Sequence, residues 1–314
     1  MDKISVIIPT FNGSRYIRQA LDSCLRQTHE NIEVVVVDDG STDGTPDVVA
    51  EYDDPRIVLL QHEKNGGLPK ALNTGFARAS GEFMTWTSDD NFYADDALER
   101  MLSFLKERGC DFVYCDYYKF EGEDVSSAQL VKVNARHPVL PYNGVGPCFL
   151  YTRQVREEIG DFDVDTFLAE DYDYWIRVWK KFKMCRLSKP IYFYRTHPTN
   201  LSQTRESEIK ALRTIVKVKN EIVTVDEAAR EFIREIAREK YPGESSWFRL
   251  FCNVVSTLLQ GRVQSFYVLE LVYRVIYLCK VKYPLGALAE GKISFKAARE
   301  SLLSFKRSLL GVSP

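Results

Sequence analysis

Three acidic pairs stand at separate places in this 314-residue chain: Asp38-Asp39, Asp89-Asp90 and Glu170-Asp171. The first directly follows Val34–Val37, four consecutive β-branched residues that read as a strand buried on both faces. The second follows the strand-like stretch Glu82–Trp86, and the third opens a helical stretch. In an open α/β sheet, ligands bind outside the carboxyl ends of the strands. Carboxylates collected there can hold a divalent cation, accept hydrogen bonds from a nucleotide, or take a proton. Three clusters converging on one crevice imply a metal, a nucleotide and a base, which no single cluster would.

The elements that must position them follow an alternating pattern. Ile4–Ile8, Ile32–Val37, Ile57–Leu60, Glu82–Trp86 and Phe112–Tyr114 read as strands. Ser14–Arg26, Thr45–Tyr52, Leu68–Ala79 and Asp95–Glu107 read as the helices between them. That alternation means βαβ units on a mostly parallel mixed sheet flanked by helices, a Rossmann-like α/β fold. The segment 116–142 is less regular and reads as an antiparallel excursion. Cys148–Thr152 and Ile191–Tyr194 read as later strands, with Glu170–Lys181 a helix between them. The opening strand ends in Pro9-Thr10-Phe11-Asn12-Gly13, where Pro9 is expected to stop the ladder and Asn12-Gly13 to make a tight turn. Beyond about residue 202 the pattern is helical: Glu206–Asn220, Val225–Lys240, Trp247–Gln260, Ser265–Lys280 and Ser294–Leu310.

Hydrophobic residues make up 45% and charged residues 27%, which excludes a disordered chain. The first apolar run is too short for a secretory signal, and Leu250–Gly261, uncharged throughout, is far below the roughly 18 residues of a spanning helix. Seven cysteines without a Cys-x-x-Cys pair fit a reducing compartment and packed or idle thiols. The expected location is cytoplasmic, with a peripheral place at the inner face of a membrane as the extension. Residues 241–314 hold ten Lys/Arg against four Asp/Glu, leaving 32 against 40 in 1–240, so the tail is about +6 and the body about −8. Trp247, Phe248, Phe251, Phe266, Tyr267, Tyr273 and Tyr277 interleave with those basic residues. Packing or homo-oligomerisation through these helices is one reading, and contact with a membrane surface is the other.

Ile4-Ser5-Val6-Ile7-Ile8-Pro9-Thr10-Phe11-Asn12 followed by Val37-Asp38-Asp39-Gly40-Ser41 resembles the N-terminal signature of family 2 inverting glycosyltransferases of the GT-A fold. The resemblance continues in Asn65-Gly66-Gly67-Leu68-Pro69-Lys70, Thr87-Ser88-Asp89-Asp90-Asn91, Glu170-Asp171-Tyr172-Asp173-Tyr174-Trp175 and Tyr194-Arg195-Thr196-His197, covering about residues 1–203. It implies a GT-A catalytic domain over 1–203 and a helical region over 204–314. It also implies a nucleotide-sugar donor, UDP-sugar before dTDP- or GDP-sugar, and a glycan or lipid-linked acceptor. Asp39 would accept a hydrogen bond from the base, with Pro9, Thr10 and Asn12 lining the slot and Lys70 at the base or phosphates. The family's Asp-x-Asp element falls on Ser88-Asp89-Asp90. Asp90 would ligate Mn²⁺ or Mg²⁺, Asp89 would reach the ribose or support the metal, and His197 is a second candidate ligand. Asp171 would be the general base, with Glu170 beside it. Trp175 either stacks on an acceptor sugar or belongs to the core, and His29, His62 and His137 are expected to be structural.

The chain has no Gln-x-x-Arg-Trp, the motif of the processive synthases in this family, so one sugar per encounter is expected. A nucleic-acid partner is not. The competing reading is a non-catalytic sugar-nucleotide-binding or scaffolding module on the same fold. A nucleotidyltransferase is a third, and it lacks support because Pro9–Gly13 is not a Gly-rich basic loop.

Overall fold

The computed structural model describes residues 2–134, 137–140, 142–224 and 227. The expected helices Val225–Lys240, Trp247–Gln260, Ser265–Lys280 and Ser294–Leu310 lie outside the described residues, as do the tail aromatics. The chain divides into two compact units, Met1–Ile209 and Lys210–Pro314.

The first unit begins as the hydrophobic pattern demands: β1 (Ile4–Thr10), α1 (Ile17–Leu25), β2 (Ile32–Asp38), α2 (Thr45–Ala50), β3 (Ile57–Gln61), α3 (Leu68–Arg78) and β4 (Phe83–Trp86). It continues with β5 (Phe92–Tyr93), α4 (Ala97–Arg108), β6 (Phe112–Cys115), β7 (Tyr117–Glu121), β8 (Asp124–Val131), β9 (Phe149–Thr152), α5 (Arg153–Ile159), α6 (Glu170–Trp179), β10 (Met184–Leu187), β11 (Tyr192–Thr196) and α7 (Leu201–Thr204). The helix α8 (Glu206–Lys219) follows.

Seven strands form one sheet in the order β10-β6-β9-β4-β1-β2-β3. All its pairings are parallel except those of β9, which runs antiparallel to β4 and β6. Val34 to Val37 are each fully buried, because helices cover both faces of β2. One face packs Val34, Val36, Val6 and Ile8 against Ile17 and Leu21 of α1 and Leu98 and Met101 of α4. On the other face α3 lies so close that a Cβ on Gly75 would stand 2.4 Å from Ile7 Cγ2 and 3.1 Å from Val37 Cγ2. Only glycine admits that approach.

A second sheet, β5-β11-β7-β8, accounts for the irregular 116–142 segment: β7 and β8 form an antiparallel hairpin beside β11. Pro9 does not stop the ladder. It pairs with Val37, and β1 runs on to Thr10. The reason is strand alternation: Ile7 O accepts from Thr87 N on the β4 side, whereas Thr10 O accepts from Asp39 N on the β2 side. The missing N–H of Pro9 therefore faces β4, whose pairing with β1 has already ended at Trp86. The cysteines also depart from expectation. Cys110 and Cys185 form a disulfide across the β6 and β10 edge, with Cα atoms 6.2 Å apart. Cys24, Cys115 and Cys148 are free and buried, and burial pushes the Cys24 thiol up to about 12.

Candidate active site

Two strand ends are laced together at the carboxyl edge of the large sheet. Asn12, not Gly13, takes the left-handed conformation (φ 57°), which Asn tolerates better than most residues. Its Oδ1 accepts from Thr42 N at 2.8 Å and its backbone N donates to Ser41 Oγ at 2.8 Å. Gly13 makes room for the Asp89 carboxylate, since a Cβ there would lie 2.0 Å from Asp89 Oδ2. Thr10 Oγ1 donates to that same oxygen at 2.5 Å. Thr10, Asn12 and Asp89 are thus brought together with the β2 turn.

Asp39 is buried, and its carboxylate accepts three hydrogen bonds from its own chain. Oδ1 accepts from His62 Nδ1 at 2.7 Å and Gly66 N at 2.9 Å, and Oδ2 accepts from Gly67 N at 2.8 Å. The expected base-binding carboxylate therefore also anchors the Gly66-Gly67 turn, where Gly67 sits at φ 89°. Lys70 folds back over this turn, with its Cδ 2.5 Å from where a Gly66 Cβ would be, and its ammonium end is exposed. Asp38 accepts from Ser41 N at 3.1 Å and holds the turn.

Past β4, Asp89 and Asp90 take different environments. Burial, reinforced by the Asp90 charge, raises the Asp89 carboxyl to about 7. Burial raises Asp90 as well, against the opposing pull of His197. Asp90 Oδ2 lies 2.9 Å from His197 Nε2 and accepts from Asn200 Nδ2 at 3.0 Å. Asp90 Oδ1 is buried with no hydrogen-bond partner among the described residues. Asn200, which sequence reading missed, also accepts from His197 N at 2.5 Å, closing the turn that aims the imidazole. Arg195 was missed too. Its buried guanidinium donates to Asp90 O at 2.8 Å, to Gly122 O and to Gln19 Oε1, and packs over the rings of Tyr16 and Phe120. It positions the backbone that presents Asp90.

A hard divalent cation fits this corner. Asp90 Oδ1 keeps an unused lone pair and the His197 imidazole meets the other oxygen of the same carboxylate, and Mg²⁺ is commonly held by one or two carboxylates plus substrate phosphates and water. Among the described residues no group of three or more His, Cys, Asp or Glu could hold a metal, so Asp90 and His197 would be the protein's share.

Asp171 lies in the first turn of α6. The chain enters that helix through Leu168 at φ 79°, a left-handed conformation costly for a bulky residue. Asp171 Oδ2 accepts from Asn143 Nδ2 at 2.7 Å and Oδ1 from Tyr172 N at 2.6 Å. Asn143, also missed by sequence reading, comes from a loop pinned to α6 by Tyr172 OH donating to Val139 O at 2.8 Å. Glu170 is buried, whereas Asp171 is half-buried. Burial raises the pKa of the Tyr194 hydroxyl, the bond with Ser202 opposes that, and the charges of Asp90 and Asp171 add to the rise. Both carboxylates are therefore within electrostatic reach of one phenol. Trp175 belongs to the core. It is fully buried, with its ring centroid 4.6 Å from Phe149 and 5.0 Å from Phe112. His29 bonds Asp2 O, and the His137 ring lies tilted against Trp179, with centroids 4.6 Å apart. His62, expected to be merely structural, bonds Asp39 directly.

The seven-stranded, mostly parallel sheet with helices on both faces is a GT-A fold. Residues 5–169, just over half of the chain, match the family described as glycosyl transferase family 2. The chain belongs to that family. An uncharacterized glycosyltransferase of Rickettsia typhi is 29% identical over 296 residues, 86% of this chain and 90% of that protein. Among solved structures, S. aureus TarS 1–349 in complex with UDP-GlcNAc matches with a TM-score of 0.61 at 20% identity, over 87% of this chain and 89% of that one. A mannosyltransferase of Pyrobaculum calidifontis in complex with GDP-Man and Mn²⁺ matches with a TM-score of 0.56 at 19% identity, over 88% and 87%.

Proposed function

We propose that this enzyme moves one sugar, with inversion, from a nucleoside-diphosphate sugar to a hydroxyl of a glycan or lipid-linked acceptor, UDP-sugar being the donor. The observation that carries the reading is the Asp90 carboxylate past β4, whose Oδ1 is buried with no partner among the described residues while Oδ2 meets His197 and Asn200. Inversion needs a base on the face opposite the departing diphosphate, and in this reading Asp171 is that base. The TarS complex with UDP-GlcNAc supports the donor class.

In this reading Asp39 meets the base, with Pro9, Thr10 and Asn12 along the slot. Asp89 reaches the ribose, and Lys70 extends over the Gly66-Gly67 turn toward the phosphates. Asp90 and His197 hold a divalent cation, a role supported by the buried unpartnered Oδ1 and by the Mn²⁺ of the mannosyltransferase complex. Bound there, Mn²⁺ or Mg²⁺ would neutralise charge on the departing diphosphate. Asp171 takes the proton of the acceptor hydroxyl as the glycosidic bond forms, with Asn143 and the Tyr172 N–H orienting its carboxylate. Glu170, buried at the same helix start, adds negative charge beside it.

No helix among the described residues is long and apolar enough to cross a membrane. In this reading the basic tail contacts either the cytoplasmic face of a membrane, where a lipid-linked acceptor would be met, or a second copy of the chain. The decisive experiment is a donor panel assayed for nucleoside-diphosphate release with and without Mn²⁺. Metal-dependent release from a UDP-sugar is expected, and silence across the panel would remove the reading.

A further inference from the structure

The donor-binding reading leaves the His62 imidazole unaccounted for. It follows β3 and is tied at three points. Its backbone N donates to Asp38 O at 2.9 Å, Nδ1 lies 2.7 Å from Asp39 Oδ1, and Nε2 lies 2.9 Å from Thr74 Oγ1 on α3. The His62 and Asp39 side chains keep only 14% and 5% of their exposure. An ionised carboxylate only accepts, so Nδ1 carries the hydrogen of this bond. In the neutral ring Nε2 then accepts from the Thr74 hydroxyl, and this pair of bonds fixes both tautomer and ring orientation.

A carboxylate offers about four acceptor directions. Here the His62 ring and Gly66 N fill both directions on Oδ1, and Gly67 N fills one on Oδ2. One direction, on Oδ2, is left. Without the imidazole, Oδ1 would regain an open direction beside the one on Oδ2, and a carboxylate still held by Gly66 N and Gly67 N could meet donors of more than one geometry.

We propose that His62, held by Thr74, is a positioning residue that restricts Asp39 to a single open acceptor direction and so sets base selectivity. The hydrogen it is aimed at is a ring N–H of a nucleobase. Uracil, thymine and guanine carry one, whereas the corresponding ring nitrogen of cytosine or adenine is itself an acceptor. The inference rests on the reading of Asp39 as the base-binding group.

The test is calorimetry of UDP and CDP binding to the full chain, for wild type, His62→Asn, His62→Gln, Thr74→Val and Asp39→Ala, with thermal melting to follow folding. An Asn amide nitrogen falls near the position of Nδ1 and a Gln amide nitrogen near Nε2, so only the first restores the bond to Asp39. Wild type is expected to prefer UDP. His62→Gln should lose about tenfold of that preference, the worth of one charge-assisted hydrogen bond. His62→Asn should stay within about threefold of wild type, and Thr74→Val should fall between. With a UDP-sugar, His62→Gln should raise KM and leave kcat in place. A folded His62→Gln protein with an unchanged UDP-to-CDP ratio overturns the proposal. If that variant does not fold, Thr74→Val decides, and an unchanged ratio there overturns it too. A wild type indifferent to the base overturns the donor reading itself, and the proposal with it. A preference abolished by Asp39→Ala but untouched by Thr74→Val and both His62 variants overturns the proposal alone.

Discussion

Near the start of β2, Glu33 receives Ser5 Oγ at 2.5 Å, Lys3 Nζ at 2.9 Å, Ser80 N at 2.5 Å, Ser80 Oγ at 2.9 Å and Gly81 N at 3.2 Å. At the other end of the same strand, Asp39 keeps one acceptor direction open. Across from it Asp90 keeps a buried oxygen with no partner among the described residues, and Asp89 shares its surroundings with a like charge. Electrostatics follows coordination. At Glu33, burial would raise the carboxyl, but the bonds from Ser5, Lys3 and Ser80 outweigh it and bring it down to about 2. At Asp89, burial and the neighbouring charge prevail and lift it to about 7. A carboxylate saturated by its own protein is a fastening. A carboxylate left short of donors is held ready for something that arrives with the ligand.

The comparison breaks most visibly in turnover. Asp171→Asn should lower transfer by about 10²–10⁴-fold while nucleotide binding and melting temperature stay close to wild type. Transfer near the wild-type rate would take Asp171 out of the chemistry. At the opposite end, Glu33→Ala should cost about 2–3 kcal/mol in urea unfolding, because it strands buried donors, and leave kcat unchanged. A variant that unfolds at the wild-type midpoint would show that the cluster fastens nothing. Asn143→Ala should reduce kcat by about tenfold without changing affinity for UDP, since only the aim of the base is lost. An equal loss of UDP affinity would place Asn143 in the donor slot instead.

The smallest effect is the most discriminating, because the two ends should titrate with opposite sign. Glu33 binds its proton more weakly folded than unfolded, so its stabilisation is present above its ordinary 4.5 and disappears as pH falls toward about 2. Asp89 binds its proton more tightly folded than unfolded, so its contribution is complete below its ordinary 3.8 and drains away as pH rises through about 7. Unfolding free energies measured across pH should therefore flatten at the acid end in Glu33→Gln and near neutrality in Asp89→Asn. An Asp89→Asn curve still parallel to wild type between pH 5 and 8 would contradict the crowded-carboxylate account.

The strands of the βαβ part were legible because parallel strands covered on both faces read as continuous apolar runs, and Val34–Val37 is such a run. The acidic pairs were legible because they stand directly after those runs. What escaped was partner choice across long stretches of chain. Nothing local marks Arg195 as the group that reaches Asp90 O, Gly122 O and Gln19, or Asn143 as the partner of Asp171, or joins Cys110 to Cys185. The two residues of β5 and the four of β10 are too short to carry a period. The bonds of His62 to Asp39 and Thr74 showed only when β2, β3 and α3 were placed side by side. Asn200 had a faint signal in Thr196-His197-Pro198-Thr199-Asn200, where an Asn three residues on can turn back on the histidine's own backbone.

Arg195 has a consequence for how the β7–β8 hairpin can vary in length. Its guanidinium reaches the carbonyl of Gly122, at the hairpin's tip, and in the same stroke the carbonyl of Asp90. A residue inserted between Phe120 and Gly122 would shift that tip out of reach and be felt at Asp90. One inserted among Ser126, Ser127 and Ala128, on the exposed outer strand, could be taken up as a bulge there and leave the Gly122 carbonyl in place. Relatives that lengthen this hairpin should therefore do so beyond Gly122, and loop grafts meant to alter the protein's outer surface have a defined point from which to start.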